Sequence, residues 1–424
     1  MNKPPISDRH HVVVVGGGFG GLQCIKSLKS ANVRITLIDQ RNHHLFQPLL
    51  YQAATTILAP SEIAWPLRHL FRDRADVTTI MAQVVGVETG ACRVYLAGGE
   101  SVAYDTLVLA TGARHSYFGN DGWEAHAPGL KTLEDATAIR RKILSAFEIA
   151  EKSDDPEVQR QHMTIVIIGA GPTGVELAGI IAELAHRILP REFRKIDTRN
   201  ARVLLVEAGP KLLSAYPDTL SAYAKAAVSK LGVEIMLDQP VTRCHADGID
   251  MGGDRIPCKT VIWAAGVQAS AAAEWIDVDC DRVGRALVNP DLPAAAHLNV
   301  FVIGDTAAVT DKSGNPVPGI APAAKQMGRY VATVIRQRLM GLTLPGPFRY
   351  RHAGSLATLG RRAAIADFGR LKMKGPIAWW VWGIAHIFFL IGARSRIAVA
   401  WSWFWSFVTG QNSARIITVT EKDH

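Results

Sequence analysis

The stretch TIVIIGAGPTGVELAGII, Thr164 to Ile181, sets Gly169, Gly171 and Gly174 in a G-x-G-x-x-G spacing between a β-branched run and a strongly apolar helical pattern. Glycines at this spacing suit the binding of a pyrophosphate. Gly169 permits a tight turn, Gly171 lets backbone approach the ligand, and Gly174 lets helix and strand pack closely. Pro172 and Thr173 open a helix whose N-terminal N–H groups and dipole face the negative charge. Near the N-terminus, HVVVVGGGFGGLQCIKSL repeats the arrangement, with Gly16, Gly18 and Gly21 after the strand His11 to Val15 and with Phe19 and Gly20 inside the motif. Two copies imply two nucleotides.

Each copy needs a second strand that presents an acid to a ribose. RITLID closes at Asp39 and RVLLVE at Glu207, where a carboxylate accepts hydrogen bonds from a 2′-OH. The second spacing is longer because His186 to Asn200, polar and basic, is inserted after the helix. A carboxylate at both positions repels a 2′-phosphate, so the reduced nucleotide is expected to be NADH rather than NADPH. Arg41 to Thr55 is too irregular for a strand and too apolar for a solvated loop, and is expected to fold over a ligand. Val77 to Leu109 reads as a meander of short strands ending in the turn Ala110-Thr111-Gly112, where backbone can approach a flat, bulky group; Ala264-Ala265-Gly266 is its counterpart in the second half. Helices are expected over Leu133 to Glu151 and Asp218 to Leu231. VFVIGDTAA reads as a buried strand into Gly304-Asp305 and a helix starting at Thr306, with Asp305 either bonding a sugar or ribityl hydroxyl or capping that helix. The expected fold class is α/β, two Rossmann-like dinucleotide-binding domains with β-meanders.

With 424 residues and a hydrophobic share of 48%, two or three domains are expected rather than one. Cys24, Cys92, Cys244, Cys258 and Cys280 form no C-x-x-C pair and no metal spacing, which argues for a reducing compartment and against a redox dithiol or a metal site. His43 and His44 have no carboxylate or cysteine at ligand spacing and read as hydrogen-bonded structure. Residues 1 to 10 are polar and lack the apolar core of a secretory signal, so the chain is expected to stay on the synthesis side of the membrane. A net charge of +9 allows a nucleic acid, an anionic membrane surface or nothing beyond solubility, and the basic residues near the tail make a nucleic-acid role unnecessary. Pro376 to Ala393 is almost wholly apolar, Ile397 to Val408 is a second aromatic-rich run, and six of the ten tryptophans lie between Trp379 and Trp405. Tryptophan prefers the membrane interface, and the flanking Lys372, Lys374, Arg394, Arg396 and Arg415 suit anionic head groups. A helix over the first run, about 27 Å long, would barely span a bilayer. Two helices lying in one leaflet are therefore expected, with a spanning first helix and a buried dimer-interface helix as the alternatives.

The two glycine units, the paired turns and the late Gly304-Asp305 strand resemble the two-dinucleotide-binding-domain flavoprotein superfamily. Within it, GPTGVELAG, VEAGP, WAAGV and the aromatic tail are similar to type II NADH:quinone oxidoreductases, single-subunit NADH dehydrogenases that pump no protons; the likeness runs from Val12 to about Thr418. The resemblance implies that Gly16, Gly18, Phe19, Gly20, Gly21, Asp39, Ala110, Thr111, Gly112, Gly304 and Asp305 hold FAD. It gives Gly169, Gly171, Pro172, Thr173, Gly174, Glu207, Ala265 and Gly266 to NADH. Glu176, two residues into the helix, would lie near flavin and nicotinamide; a first-turn acid favoured by the helix dipole is the plainer reading. The family's quinone-side motif AQxAxQ stands here as A-P-A-A-K-Q, Ala321 to Gln326. Pro322 replaces the first glutamine, removing an amide and an N–H, and Lys325 and Gln326 become the candidates to face the flavin ring and the quinone carbonyl.

The implied reaction passes a hydride from NADH to FAD and two electrons on to a membrane quinone, so no ordinary catalytic constellation is required. Residues 1–125 with 286–375 would form the FAD-binding domain, 126–285 the NADH-binding domain, and 376–424 a peripheral attachment to the cytoplasmic face of the cell membrane. Its partners would be the quinone and the lipid surface, with no metal or nucleic acid; a homodimer is compatible. Three alternatives remain: a sulfide:quinone oxidoreductase, for which the cysteines are poorly placed; a ferredoxin or rubredoxin reductase, which has no use for the tail; and a non-enzymatic FAD-binding membrane protein.

Overall fold

The computed structural model describes residues 5–412 and 414–417; the first residues of the polar N-terminus and the end of the family likeness at Thr418 lie outside the described residues. The chain divides into two compact units, the first made of Met1–His44, Trp65–Arg114 and Val267–Ala353, the second of Leu45–Ala64, His115–Gly266 and Gly354–His424.

In the first unit, β1 (His10–Val15) carries four consecutive valines, all buried, as a strand covered on both faces requires. It leads into α1 (Phe19–Ser27), β2 (Val33–Asp39), β3 (Val77–Met81) and β4 (Thr106–Leu109). The sheet runs Pro293–Ala294, His297–Val302, β4, β1, β2, β3, and every pair is parallel except the two-residue outermost strand. This corrects the expected meander over Val77 to Leu109. Both of its ends belong to the nucleotide sheet: all four residues of β4 are buried, a setting only the sheet interior supplies, and β3 closes the edge. Only Val84–Glu88, Arg93–Leu96 and Ser101–Ala103 form an antiparallel meander.

The helix expected from Thr306 is also corrected. Gly304–Thr306 is a single 3-10 turn, and the helix begins at Ala321 and runs to Leu339. Between them Asp311 accepts hydrogen bonds from the backbone N–H of Ser313 and Asn315, and Pro316 and Pro318 follow; this is turn chemistry that a helix cannot hold. Pro322 occupies the second position of the helix, where its missing N–H costs no intrahelical bond. This long helix crosses α1 at Gly328, where a Cβ would stand 2.2 Å from the Gly20 carbonyl oxygen.

In the second unit, β5 (Thr164–Ile168), β6 (Arg202–Val206), β7 (Val233–Met236) and β8 (Thr260–Trp263) form a parallel sheet in the order β7-β6-β5-β8. Gln47–Leu49 is a 3-10 turn and Leu50–Ala54 is α2, every residue of which is buried; five residues show no period, which is why the stretch read as irregular. The helix α3 (Leu133–Lys152) is fixed at its start by a capping box between Thr132 and Asp135. Pro172–Glu183 is α4. After Gly354 come the antiparallel strands β9 (Ser355–Thr358), β10 (Ala364–Asp367) and β11 (Lys372–Gly375), then α5 (Pro376–Phe389) and α6 (Ala393–Thr409). The apolar run Pro376 to Ala393 is thus not one helix: Leu390 is extended and Gly392 takes φ +82°, which ends α5 after 14 residues, about 21 Å. Among the described residues no helix is long and apolar enough to cross a membrane.

Gly328→Ala must push α1 and the long helix apart. We expect it to destabilise the protein by about 1–3 kcal/mol, measured as a lowered urea midpoint at unchanged m-value.

Candidate functional site

The first glycine loop is closed by contact of backbone on backbone. Gly16 takes φ +105°, and a Cβ there would lie 2.3 Å from the carbonyl oxygen of Ala110. The turn expected to approach a flat ligand therefore first receives the glycine loop itself. Gly18 is the N-cap of α1 and faces open space. Asp39 accepts from Gly17 N–H at 2.6 Å and from Arg41 N–H at 2.7 Å, and each carboxylate oxygen keeps a further lone pair for a ribose hydroxyl. Beside Thr111, the Oγ1 atom lies 2.5 Å from Ser270 Oγ, which in turn is 3.1 Å from Thr306 Oγ1. Asp305 sits against Gly319, where a Cβ would stand 3.3 Å from the carboxyl.

His44 was legible only as structure, and the fold gives it more. Its Nδ1 lies 2.9 Å from the Gly17 carbonyl, its ring meets Phe19 edge-on at 5.0 Å, and burial lowers it to about 4, so the ring is neutral. A carbonyl only accepts, so Nδ1 carries the proton and Nε2 is a lone-pair acceptor, buried and without a partner among the described residues. That acceptor fits the hydroxyl of a ribose or ribityl chain and not a phosphate. The open glycine N-cap and this waiting acceptor both suit FAD.

Lys325 stands over the ring of Phe19, 5.2 Å from its centroid, and burial beside Lys26 and Arg329 lowers its ammonium to about 8. Gln326 does otherwise: its Nε2 donates to the Arg351 carbonyl at 2.8 Å and its Oε1 accepts from the Arg351 N–H at 2.9 Å, so its amide is engaged at both ends.

The second loop repeats the first. Gly169 takes φ +103° and a Cβ there would meet Ala265 Cα at 2.5 Å; a Cβ on Gly174 would meet the Gly169 carbonyl at 1.8 Å. Pro172 and Thr173 open α4 after the N-cap Gly171. Glu207 accepts from Ala170 N–H at 2.7 Å and from Gly209 N–H at 2.9 Å, as Asp39 does in the first loop.

Glu176 is the fifth residue of α4, not the second, so a first-turn dipole does not account for it. Its carboxyl is buried and raised by desolvation to about 8, although Thr358 N–H donates to Oε1 at 3.2 Å. From it runs a line of polar groups that the sequence did not announce. Thr358 Oγ1 is 2.9 Å from the Tyr51 hydroxyl, Gln52 Nε2 donates to that hydroxyl at 3.0 Å, and Trp403 Nε1 donates to Gln52 Oε1 at 2.7 Å. The line ends at a cavity lined by Tyr51, Gln52, Ile180, Trp379, Trp382 and Trp403. A Tyr-Gln pair inside the apolar run Leu49 to Ala54 was the available signal.

Residues 10–328 match the model of the pyridine nucleotide-disulphide oxidoreductases, and residues 352–412 match the NDH2 C-terminal domain. The chain is 43% identical to the type II NADH:quinone oxidoreductase Ndh of Mycobacterium tuberculosis, over 98% of this chain and 91% of that one. This chain belongs to the type II NADH:quinone oxidoreductase family. A probable NADH dehydrogenase of Dictyostelium discoideum is 28% identical over 97% of this chain and 92% of its own. The structure of NDH2 from Plasmodium falciparum in complex with NADH has the same fold, with a TM-score of 0.88 and 18% identity over 97% of this chain and 100% of that one. The sulfide:quinone oxidoreductase of Aquifex aeolicus shares the fold at a TM-score of 0.72, over 92% of each chain with 21% identity.

Two outcomes follow for this family member. If Glu207 faces the ribose 2′ position as expected from the sequence, Glu207→Gln removes a charge that would repel a 2′-phosphate, so the preference for NADH over NADPH, read as a ratio of kcat/KM, should narrow by about tenfold or more. Glu176 has a folded-state value near 8 against an ordinary 4.5, so it favours folding fully below about 4.5 and that support is lost as pH rises through about 8. The Glu176→Gln protein should therefore gain melting temperature on the parent between pH 6 and pH 9; a constant difference would place the carboxyl in solvent.

Proposed function

We propose that this chain catalyses NADH + H⁺ + quinone → NAD⁺ + quinol, using a quinone dissolved in the membrane. The observation that carries the reading is the pairing, in one fold, of two acid-closed glycine loops with a buried Glu176 whose polar line opens on a tryptophan-lined cavity beside α5 and α6. Bound FAD supplies the chemistry of hydride acceptance and two-electron transfer. The first unit would hold FAD through the Gly16 to Gly21 loop, Asp39, His44 and Asp305, with Lys325 on the Phe19 side; Gln326 would fix the segment at Arg351 rather than touch substrate. The second unit would hold NADH through the Gly169 to Gly174 loop and Glu207. Protonated at neutral pH, Glu176 would hold a proton that Thr358 and Tyr51 can pass toward a quinone oxygen, which needs protons as well as electrons to become a quinol.

Residues 376–424 would attach the enzyme peripherally to the cytoplasmic face of the membrane. On α5, Ile377, Trp380, Ile384 and Phe388 form one exposed stripe; on α6, Ile397, Trp401, Phe404 and Val408 form another, each residue more than half exposed. Trp382 and Val399 on the opposite faces are buried. Helices this amphipathic and this short suit the interfacial plane, with Arg394 and Arg396 at the head groups. At about 1.5–3 kcal/mol for each large apolar side chain buried, several together hold the protein against salt.

The test uses the whole chain with FAD bound. The parent should sediment with anionic vesicles in 1 M salt and reduce a long-chain quinone with NADH. Trp380→Ser, Ile384→Ser and Phe388→Ser combined should leave NADH:ferricyanide activity within about twofold, abolish sedimentation and lower long-chain quinone activity by about tenfold or more. Sedimentation and quinone activity at the parent level would sink the membrane assignment, and loss of a dimer in place of vesicle binding would make the stripe a subunit interface.

A further inference from the structure

In the second unit, residues 116–120 form a turn with an unexpected occupant. Phe118 has φ +53° and Gly119 φ +86°, and the Tyr117 carbonyl accepts from the backbone N–H of Asn120 at 3.0 Å. Two successive left-handed residues make a type I′ turn, whose central positions normally take Asn, Asp or Gly; a bulky aromatic residue there is strained. Both ends of the turn are anchored. Trp263 Nε1 donates to the Ser116 carbonyl at 2.9 Å, and the buried Tyr117 donates from its hydroxyl to the Ala127 carbonyl at 3.0 Å. Tyr117 and Trp123 pack on Trp263, with ring centroids 5.0 and 5.7 Å away. Phe118 touches the same Trp263 from outside, ring centroids 6.1 Å apart and tilted by 58°, and the residue stays 68% exposed.

What it rests on gives the strain a purpose. The ring meets Gly266 tip-first: a Cβ at Gly266 would lie 2.6 Å from Phe118 Cζ and 3.2 Å from both Cε atoms, and with Trp263 tilted 58° to it the exposed ring keeps surface for a further flat group. Gly266 follows Ala265, the residue against which Gly169 of the second glycine loop closes. In the sheet order β7-β6-β5-β8, Glu207 just after β6 would take the adenosine ribose, and the dinucleotide would cross the Gly169 loop toward the end of β8, where the strand order reverses. Phe118 stands on that side.

We propose that Phe118 is a positioning residue for NADH, its ring set by a strained turn on Gly266 so that the nicotinamide half of the dinucleotide stacks against it. This rests on the NADH reading of the second glycine loop and adds to it the residue that holds the reactive ring. Stacking on an aromatic face needs no hydrogen bond, so it serves the oxidised and the reduced ring alike and tolerates any flat side chain.

The experiment compares NAD⁺ with ADP-ribose, which shares the adenosine half but lacks nicotinamide. Binding to the FAD-loaded protein is followed by calorimetry, and folding by melting temperature. Phe118→Ala and Phe118→Gly should each weaken NAD⁺ by about tenfold, the usual scale of one lost stacking contact, and leave ADP-ribose within twofold. Phe118→Trp should keep the parent affinity for both. Because Phe118→Gly relieves the turn, it should melt at or above the parent while binding NAD⁺ more weakly, a divergence that a purely structural residue does not produce. Parent-like NAD⁺ binding in the Ala and Gly proteins, or an equal loss of ADP-ribose binding, would overturn the inference alone. A parent protein that binds neither NAD⁺ nor NADH would overturn the oxidoreductase reading itself.

Discussion

The structure depends on a contact that only glycine allows, a backbone turn pressed onto a backbone carbonyl. At Gly16 against Ala110 and at Gly169 against Ala265, the separations leave no room for a Cβ, and the positive φ at each glycine would strain any other residue. Each contact draws the loop over the end of its sheet and brings a helix N-terminus into the opening. Asp39 and Glu207 then grip the loop backbone from the neighbouring strand. The same construction, made twice from different sequences, gives each unit a place where a dinucleotide phosphate can lie on N–H groups rather than on a lysine or arginine.

Buried charge is arranged differently at two positions of α4. Glu183 is buried but answered: Arg361 donates its backbone N–H to the carboxylate at 2.9 Å, and the guanidinium continues to the Ser406 carbonyl and to Asn412 Oδ1, both at 3.0 Å. Asn412 in turn donates to Thr56 Oγ1 at 3.0 Å, so this network ties α4, the turn after β9 and the end of α6 together. Glu176, two turns earlier, has no cation at its carboxyl among the described residues, only Thr358, with Tyr51 and Tyr216 as titratable neighbours; Tyr216 is itself pushed well up by burial and then by this carboxyl. Desolvation raises both carboxyls; at Glu183 the arginines oppose it, whereas at Glu176 no such charge does and the acid is kept neutral. One buried glutamate is tied to the C-terminal segment through Arg361, and the other is held protonated beside Thr358 and Tyr51.

The two tail helices each carry one buried and one exposed apolar face. Trp382 packs at a tilt against Trp403 with ring centroids 5.0 Å apart, and Ser402 donates to Glu62 at 2.5 Å, which fixes the inner faces of α5 and α6 to each other and to the rest of the second unit. The outer faces keep their tryptophans, phenylalanines and isoleucines in the open. Apolar composition alone does not separate these roles, because Trp380 and Trp382 are two residues apart in the sequence and face opposite ways.

The sequence by itself determined the repeated local chemistry: the glycine spacings, the acids Asp39 and Glu207, the strands that deliver them, and the aromatic tail. These are local because a turn, a strand end and a helix start are set by residues within a few positions of one another. Tertiary structure decided what depends on residues far apart. It took Val77–Met81 and Thr106–Leu109 out of the meander and into the nucleotide sheet, moved the late helix from Thr306 to Ala321, and cut the apolar run at Gly392. It brought Tyr51 to Thr358 and Gln52 to Trp403, engaged Gln326 with Arg351, and left His44 Nε2 without a partner among the described residues. No periodicity encodes such pairs, since a hydrogen bond across hundreds of residues exists only once the sheets and helices between them have packed.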